Sequence, residues 1–200
     1  MDHDARGIRV DQNLKTSQNH VYAAGDVTGS FQFTHYAGWQ GYVAARNALF
    51  PGSIRGVATA VPWAVFTQPE VAQVGLTEEQ AQELGPTTAV HRLPLERVDR
   101  ALTTGDTEGF IKMVATPSGK ILGATTVAPA AAELANELSV AIACGIDLQR
   151  LASAMHVYPT IGLGIQQIAS GFGFMHARRG LRGALARTLT TGFRRRSIQL

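Results

Sequence analysis

The run Val21-Tyr22-Ala23-Ala24-Gly25-Asp26-Val27 carries residue types able to do chemistry. A glycine lets the backbone come close to a ligand. A carboxylate at the carboxyl end of a strand can accept hydrogen bonds from sugar or polyol hydroxyls, as acidic residues do in dinucleotide sites. A helix following such a loop turns its N-terminal amides toward a phosphate or an electron-rich ring oxygen. Gly25-Asp26 also reads, more plainly, as a turn. Cys144 is the single cysteine, which excludes an intramolecular disulfide, a CxxC redox pair and a thiolate-rich zinc site. On an apolar helix just before Gly145, it reads as a buried packing residue. His3, His20, His91 and His176 lack metal-ligand spacing, so no metal site is expected. Glu133 and Glu137 share a helix face at i, i+4, which suits either an interface groove or, more simply, a solvated face.

The elements that would position these residues can be read in order. Gly7-Ile8-Arg9-Val10-Asp11 alternates like a strand, and His20-Val21-Tyr22-Ala23-Ala24 is a short buried-strand pattern delivering Asp26 into a loop. Residues 35–49 read as a helix packing through Ala37, Ala44, Ala45, Ala48 and Leu49 and stopped by Pro51-Gly52. A linker composition over 51–60 marks a domain boundary. Strands are expected at 63–66, 71–75 and 88–95, and Thr77-Glu78-Glu79-Gln80 has the arrangement of a capping box. Gly109 to Ala115 and Lys120 to Val127 flank Thr116-Pro117-Ser118-Gly119 as a hairpin. A helix from about 130 to 144 carries the stripe Leu134, Leu138, Ala141, Ile142, with Gly145 as its cap. Asp147 opens a short helix through Leu151, and Pro159 is expected to start another through Ala169 with Ile161, Ile165 and Ile168 on one face. Strands followed by helices on one face give an α+β fold with a mainly antiparallel sheet.

Two hundred residues, 45% hydrophobic with 21 Gly and 8 Pro, can bury a real core. The net charge of +3 comes from the tail: residues 176–200 hold seven arginines and no acid, leaving 11 basic against 15 acidic residues elsewhere. The body carries no basic, aromatic-interleaved stripe, so nucleic acid is not an expected partner. Neither an apolar run of spanning length nor a signal pattern is visible, and a cytoplasmic location is the expectation. In the tail, Phe174, Ala177, Leu181, Ala184, Leu185 and Leu189 fall on one helical face, opposite Arg179, Arg182 and Arg187. A helix over 174–196, weakened by Gly180 and Gly183, could make peripheral contact with an anionic membrane; a solvated extension is the plainer reading.

GIRVDQNLKTSQNHVYAAGDVTG resembles the last FAD-binding segment of the pyridine nucleotide-disulfide oxidoreductases, the flavoproteins that include dihydrolipoyl dehydrogenase, glutathione reductase and mercuric reductase. Val61-Pro62-Trp63, FTQPEVAQVGLTEEQA, EGFIKMV, GKILGATTV, the Glu133-Leu134 helix and HVYPT are similar, in order, to that family's dimerisation domain. The resemblance covers residues 7 to about 172 and is strongest to the mercuric reductase-like and dihydrolipoyl dehydrogenase-like branch. It implies three parts: 1–55 as the end of an FAD-binding α/β domain, 61–172 as the dimerisation domain, and 173–200 as a basic amphipathic tail.

The resemblance also implies roles. Gly25 and Asp26 match the turn and the aspartate that binds the FAD ribityl chain, and Gln32, Phe33, Thr34 and His35 match the segment against the flavin. FAD is therefore the implied cofactor and a homodimer the implied assembly. In the family, the glycine-rich FAD fingerprint, the redox cysteine pair and the NAD(P)H-binding domain lie upstream of these motifs, so the 200 residues look like the carboxyl-terminal part of a longer enzyme. In the disulfide reductases a histidine before the proline of HVYPT, with a glutamate four residues beyond it, serves as acid–base across the dimer. Tyr158 stands at the histidine position and Leu163 at the glutamate position, while His156 matches a different family histidine. Tyr158 and His156 are the candidate catalytic residues, Tyr158 placing a substrate or ion with His156 behind its loop; packing and hydrogen bonding alone is the other reading of Tyr158. Mercuric reductases share a tyrosine there but also use a terminal cysteine pair, where this chain ends Arg196-Ser197-Ile198-Gln199-Leu200. The implied function is part of an FAD-dependent NAD(P)H oxidoreductase, and the alternative is a flavin-free dimerisation or interaction module.

Overall fold

The computed structural model describes residues 1–83, 85 and 88–178. They form two compact units, Met1–Trp63 and Ala64 onward. In the first, β1 (His3–Asp4) and β2 (Gly7–Ile8) make a two-residue antiparallel pair. The Arg6 N–H donates to Asp4 Oδ1 at 2.8 Å within the turn that joins them. The strand expected over 7–11 is thus only two residues long. The one expected over 20–24 is a single bridge between Lys15 and Tyr22. That stretch pairs with the 14–16 backbone through Thr16 N–H to Val21 O and Ala23 N–H to Leu14 O, while the Val21 N–H turns back to Gln18 O, so among the described residues no sheet propagates.

Helix α1 (Thr34–Leu49) closes this unit, but its buried face is Tyr36, Gln40, Val43, Ala44 and Asn47. Ala45, Ala48 and Leu49, expected to pack, are exposed. Two buried amides explain the difference. Gln40 accepts from the Gly25 N–H at 2.8 Å and donates to Gly56 O at 3.1 Å. Asn47 donates to Asn13 O and Ile54 O and accepts from the Ile54 N–H. The helix thus pairs loop amides and carbonyls that would otherwise be buried bare, and Val43 and Ala44 pack with Leu14 in the small apolar core.

The second unit is a five-stranded sheet in the order β3-β4-β7-β6-β5: β3 (Trp63–Val65), β4 (Glu70–Gly75), β5 (Ala89–Pro94), β6 (Phe110–Ala115) and β7 (Ile121–Ala128). The β4/β7, β6/β7 and β5/β6 pairs are all antiparallel, so the hairpin forms where expected. Its turn closes with the Gly119 N–H donating to Thr116 O at φ 91°, and the Thr116 hydroxyl accepts from the Lys120 N–H. The capping box before α2 (Glu78–Glu83) is present: the Thr77 N–H donates to Gln80 Oε1 at 3.0 Å and the Gln80 N–H to Thr77 Oγ1 at 3.2 Å.

One sheet face carries α4 and the last helix. Helix α4 (Ala131–Ala143) lays Ala131, Leu134, Ala135, Leu138 and Ala141 on it, and Thr126 Oγ1 donates to Ala131 O. Ile111, opposite Thr126 in the ladder, faces Gly164 of α6 (163–178), where an added Cβ would come within 2.7 Å of the Ile111 side chain. The helix expected to start at Pro159 and end at Ala169 therefore starts later and runs on to at least 178. Pro159 lies in a turn after a cis bond, and Thr160 Oγ1 accepts the Leu163 N–H at 3.3 Å, which caps the helix further on.

Asp147 caps α5 (Leu148–Ser153) by accepting from the Arg150 N–H. Cys144, expected to be buried, is exposed: it is the C-cap of α4, where the chain turns away through Gly145 at φ 64°. A 3-10 turn (Leu95–Arg97) and α3 (Asp99–Thr104) occupy a stretch with no expected element. Asp99 in the first turn and Gly105 as left-handed cap were the signals for it. The amphipathic helix expected over 174–196 lies, beyond 178, outside the described residues.

Candidate functional site

In the first unit, Gly25 and Asp26 sit where the backbone turns into a 3-10 helix (Asp26–Thr28) just before α1. Gly25 has φ 79°, ψ −155°, and an added Cβ would meet the Ala37 Cβ at 2.9 Å, so the position needs a glycine twice over. Its N–H is held by Gln40, and its carbonyl accepts from the Thr28 hydroxyl at 2.8 Å. A fixed turn thus carries Asp26, whose side chain is exposed. Gln32, Thr34 and His35 are exposed and Phe33 half-buried at the start of α1. The Phe33 and His35 rings stack at 5.3 Å and 12°, and His35 Nε2 lies 2.7 Å from Pro62 O. A carbonyl only accepts, so Nε2 carries the proton. The N-cap of α1 is Phe33, which gives no side-chain cap, so the first N–H groups of the helix remain open to an acceptor.

In the second unit, the loop 154–160 carries both HVYPT candidates. The His156 side chain is 10% exposed, with Nε2 at 2.8 Å from Glu137 Oε1 on α4 and Nδ1 at 3.2 Å from Ala154 O. Glu137 therefore does not stand on a simple solvated face: it grips this loop. Tyr158 is 65% exposed, and its hydroxyl donates to Asp99 Oδ2 at the start of α3, at 3.0 Å. That bond, together with the negative charge of Asp99, raises the phenol above its ordinary pKa and keeps it neutral. Leu163 opens α6, so no carboxylate follows Tyr158 at the spacing a disulfide reductase uses. Among the described residues no group of three or more metal-ligating side chains comes together.

The family model described as "Pyridine nucleotide-disulphide oxidoreductase, dimerisation domain" matches residues 61–168. The chain belongs to the pyridine nucleotide-disulphide oxidoreductases. A second model of this family, "Pyridine nucleotide-disulphide oxidoreductase", matches residues 2–41. The chain is 40% identical over 169 residues to a dihydrolipoyl dehydrogenase of Haloferax volcanii, covering 83% of the chain and 35% of that protein. It is 40% identical over 166 residues to a mercuric reductase of Shigella flexneri, covering 82% of the chain and 29% of that protein. Among solved structures it is similar to LpdA from Mycobacterium tuberculosis, with TM-score 0.77 and 32% identity over 82% of the chain and 36% of LpdA. It is also similar to RclA from Escherichia coli, a flavoprotein disulfide reductase, with TM-score 0.75 and 29% identity over 84% of the chain and 39% of RclA. The chain spans about a third of the length of the curated relatives it matches.

Proposed function

We propose that these 200 residues are the carboxyl-terminal portion of an FAD-dependent, NAD(P)H-linked oxidoreductase, supplying one wall of the flavin site and the homodimer interface. In this reading 1–55 ends the FAD-binding domain, 61–172 dimerises, and 173–200 is an appended basic segment. The observation that carries it is the pairing of an exposed Asp26, on a turn fixed by Gly25 and Gln40, with the open N-terminus of α1. The two suit the two ends of a flavin's needs: a hydroxyl-rich chain wants a charged acceptor, and an electron-rich ring edge wants N–H donors.

Bound FAD would supply the electron transfer from NAD(P)H to an acceptor. Asp26 would accept hydrogen bonds from the ribityl hydroxyls, and Gly25, whose missing side chain lets the turn close against Ala37 of α1, would hold it in place to do so. The first N–H groups of α1 would donate to the ring oxygen, and residues 32–35, with the Phe33–His35 stack, would lie against the ring. His156 holds the loop against Glu137, and Tyr158 positions the acceptor from that loop. As a neutral phenol it is a poor general base, so the reading assigns it orientation rather than proton abstraction.

The test is flavin content. The full-length protein should be yellow with an oxidised flavin spectrum, and Asp26→Ala should release FAD more readily. Colourless, flavin-free full-length protein would favour a dimerisation module without chemistry.

A further inference from the structure

We propose that Asp99 is a positioning residue for Tyr158, fixing the direction of its only proton so that the phenol oxygen meets the substrate as a hydrogen-bond acceptor. The inference rests on the reading that Tyr158 faces the acceptor substrate. A carboxylate has no proton to give, so in the 3.0 Å contact with Asp99 Oδ2 the Tyr158 hydroxyl is the donor. A phenol has one proton, and with it committed to Asp99 the oxygen keeps only lone pairs for anything else. The chemistry that fits is an O–H, N–H or S–H on the substrate, such as the thiol or hydroquinone of a reduced acceptor.

The geometry behind the pair is fixed on two sides. Asp99 is the first residue of α3 and is followed by the left-handed cap at Gly105, so its backbone belongs to a closed helical turn. The Tyr158 loop is held independently by the 2.8 Å contact between His156 and Glu137 of α4, and by the Thr160 hydroxyl donating to Val157 O at 2.7 Å. With both backbones anchored, the 3.0 Å bond orients the phenol and its proton. Arg97 and Arg100 flank Asp99 in sequence, and His156 and Glu137 are the titratable groups on the loop's other side.

Tyrosine labelled with 13C at Cζ in the full-length enzyme reports ionisation site by site, and Tyr158→Phe assigns the Tyr158 signal among the four tyrosines of this region. Asp99→Asn should move the Tyr158 midpoint down toward the ordinary tyrosine value near 10. The same substitution should lower kcat/KM several-fold for whichever of lipoamide and glutathione disulfide, both of which carry N–H donors, turns over better, and should add nothing in the Tyr158→Phe background. A midpoint unmoved by Asp99→Asn overturns the proposal even if Tyr158→Phe impairs turnover. So does an Asp99→Asn loss of equal size in the Tyr158→Phe background. A silent Tyr158→Phe instead removes the role of Tyr158 itself, and the proposal with it, whatever the midpoint does.

Discussion

A solvent-facing carboxylate binds a hydroxyl well only when the backbone beneath it does not have to be ordered by the ligand. Gly25 and Gln40 meet that condition for Asp26 by holding the turn through one buried N–H and one carbonyl. A hydrogen bond between a charged acceptor and a hydroxyl contributes about 1.5–3 kcal/mol, so Asp26→Ala in the full-length enzyme should weaken FAD binding by about ten- to a hundredfold. Equilibrium dialysis or flavin fluorescence measures it, and an unchanged affinity would reduce the motif to a turn. The turn that carries Asp26 was legible in the sequence because its signal is local: a glycine and an acid side by side after a short apolar run. Asp99 and Glu137 were not, since they act through partners 59 and 19 residues away, a relation no local pattern encodes. Glu137 was visible as a face of α4, and only the folded loop shows what that face meets.

Local signals also decided which elements could be read. The β6/β7 hairpin, the capping box and the α4 stripe each have their stabilising contacts within a few residues, and each stands where its pattern indicated. The α1 face was misread because alanine is small and apolar while the face is built on Gln40 and Asn47, whose burial makes sense only with the loop carbonyls around them. Replacing Gln40 with Leu should leave the Gly25 N–H and Gly56 carbonyl buried without partners, a loss of about 1–3 kcal/mol. Denaturant unfolding checks the stability, and faster FAD release should accompany it because the same amide holds the Asp26 turn. Wild-type stability would show that water replaces the amide without cost. On the sheet, β5 presents His91 under the edge of Phe172 of α6, ring centroids 5.5 Å apart. Among the described residues its buried Nε2 has no hydrogen-bond partner, and burial pushes its pKa below the ordinary 6.5. The folded state thus holds fewer protons than the unfolded chain once the pH drops below about 6.5, so this histidine's contribution to stability is full above that value. It should decline as the pH falls toward the lowered folded value. Urea midpoints compared between about pH 7.5 and pH 5 should drop less in His91→Leu than in wild type; an identical drop would remove His91 as a cause.

At the scale of the whole molecule, the order of motifs along the chain carries the most: it points to the family, which no single site does alone. On the function proposed above, the choice of acceptor follows from the departures from the family pattern more than from the matches. Reduction of lipoamide or glutathione disulfide by the resembling enzymes uses a histidine–glutamate dyad at the positions here held by Tyr158 and Leu163. A leucine cannot orient or charge a base. Tyr158, hydrogen-bonded to Asp99, is held protonated to a higher pH than an ordinary tyrosine, which moves it further from the neutral range where a general base would work. His156 cannot step in without leaving Glu137, its partner at 2.8 Å behind the loop. General acid–base catalysis contributes about 10²–10⁴-fold, so the full-length enzyme should reduce lipoamide and glutathione disulfide slower than a dyad-bearing relative by that order. Acceptors that need no proton relay at sulfur, such as quinones, should be spared this loss. Steady-state assays with NADH and NADPH against lipoamide, glutathione disulfide, Hg2+ and quinones would decide it, repeated with Tyr158→Phe and Tyr158→His. Ordinary lipoamide or glutathione turnover in the unmodified enzyme, insensitive to Tyr158→Phe, would show that protons at this interface travel by a route that bypasses Tyr158.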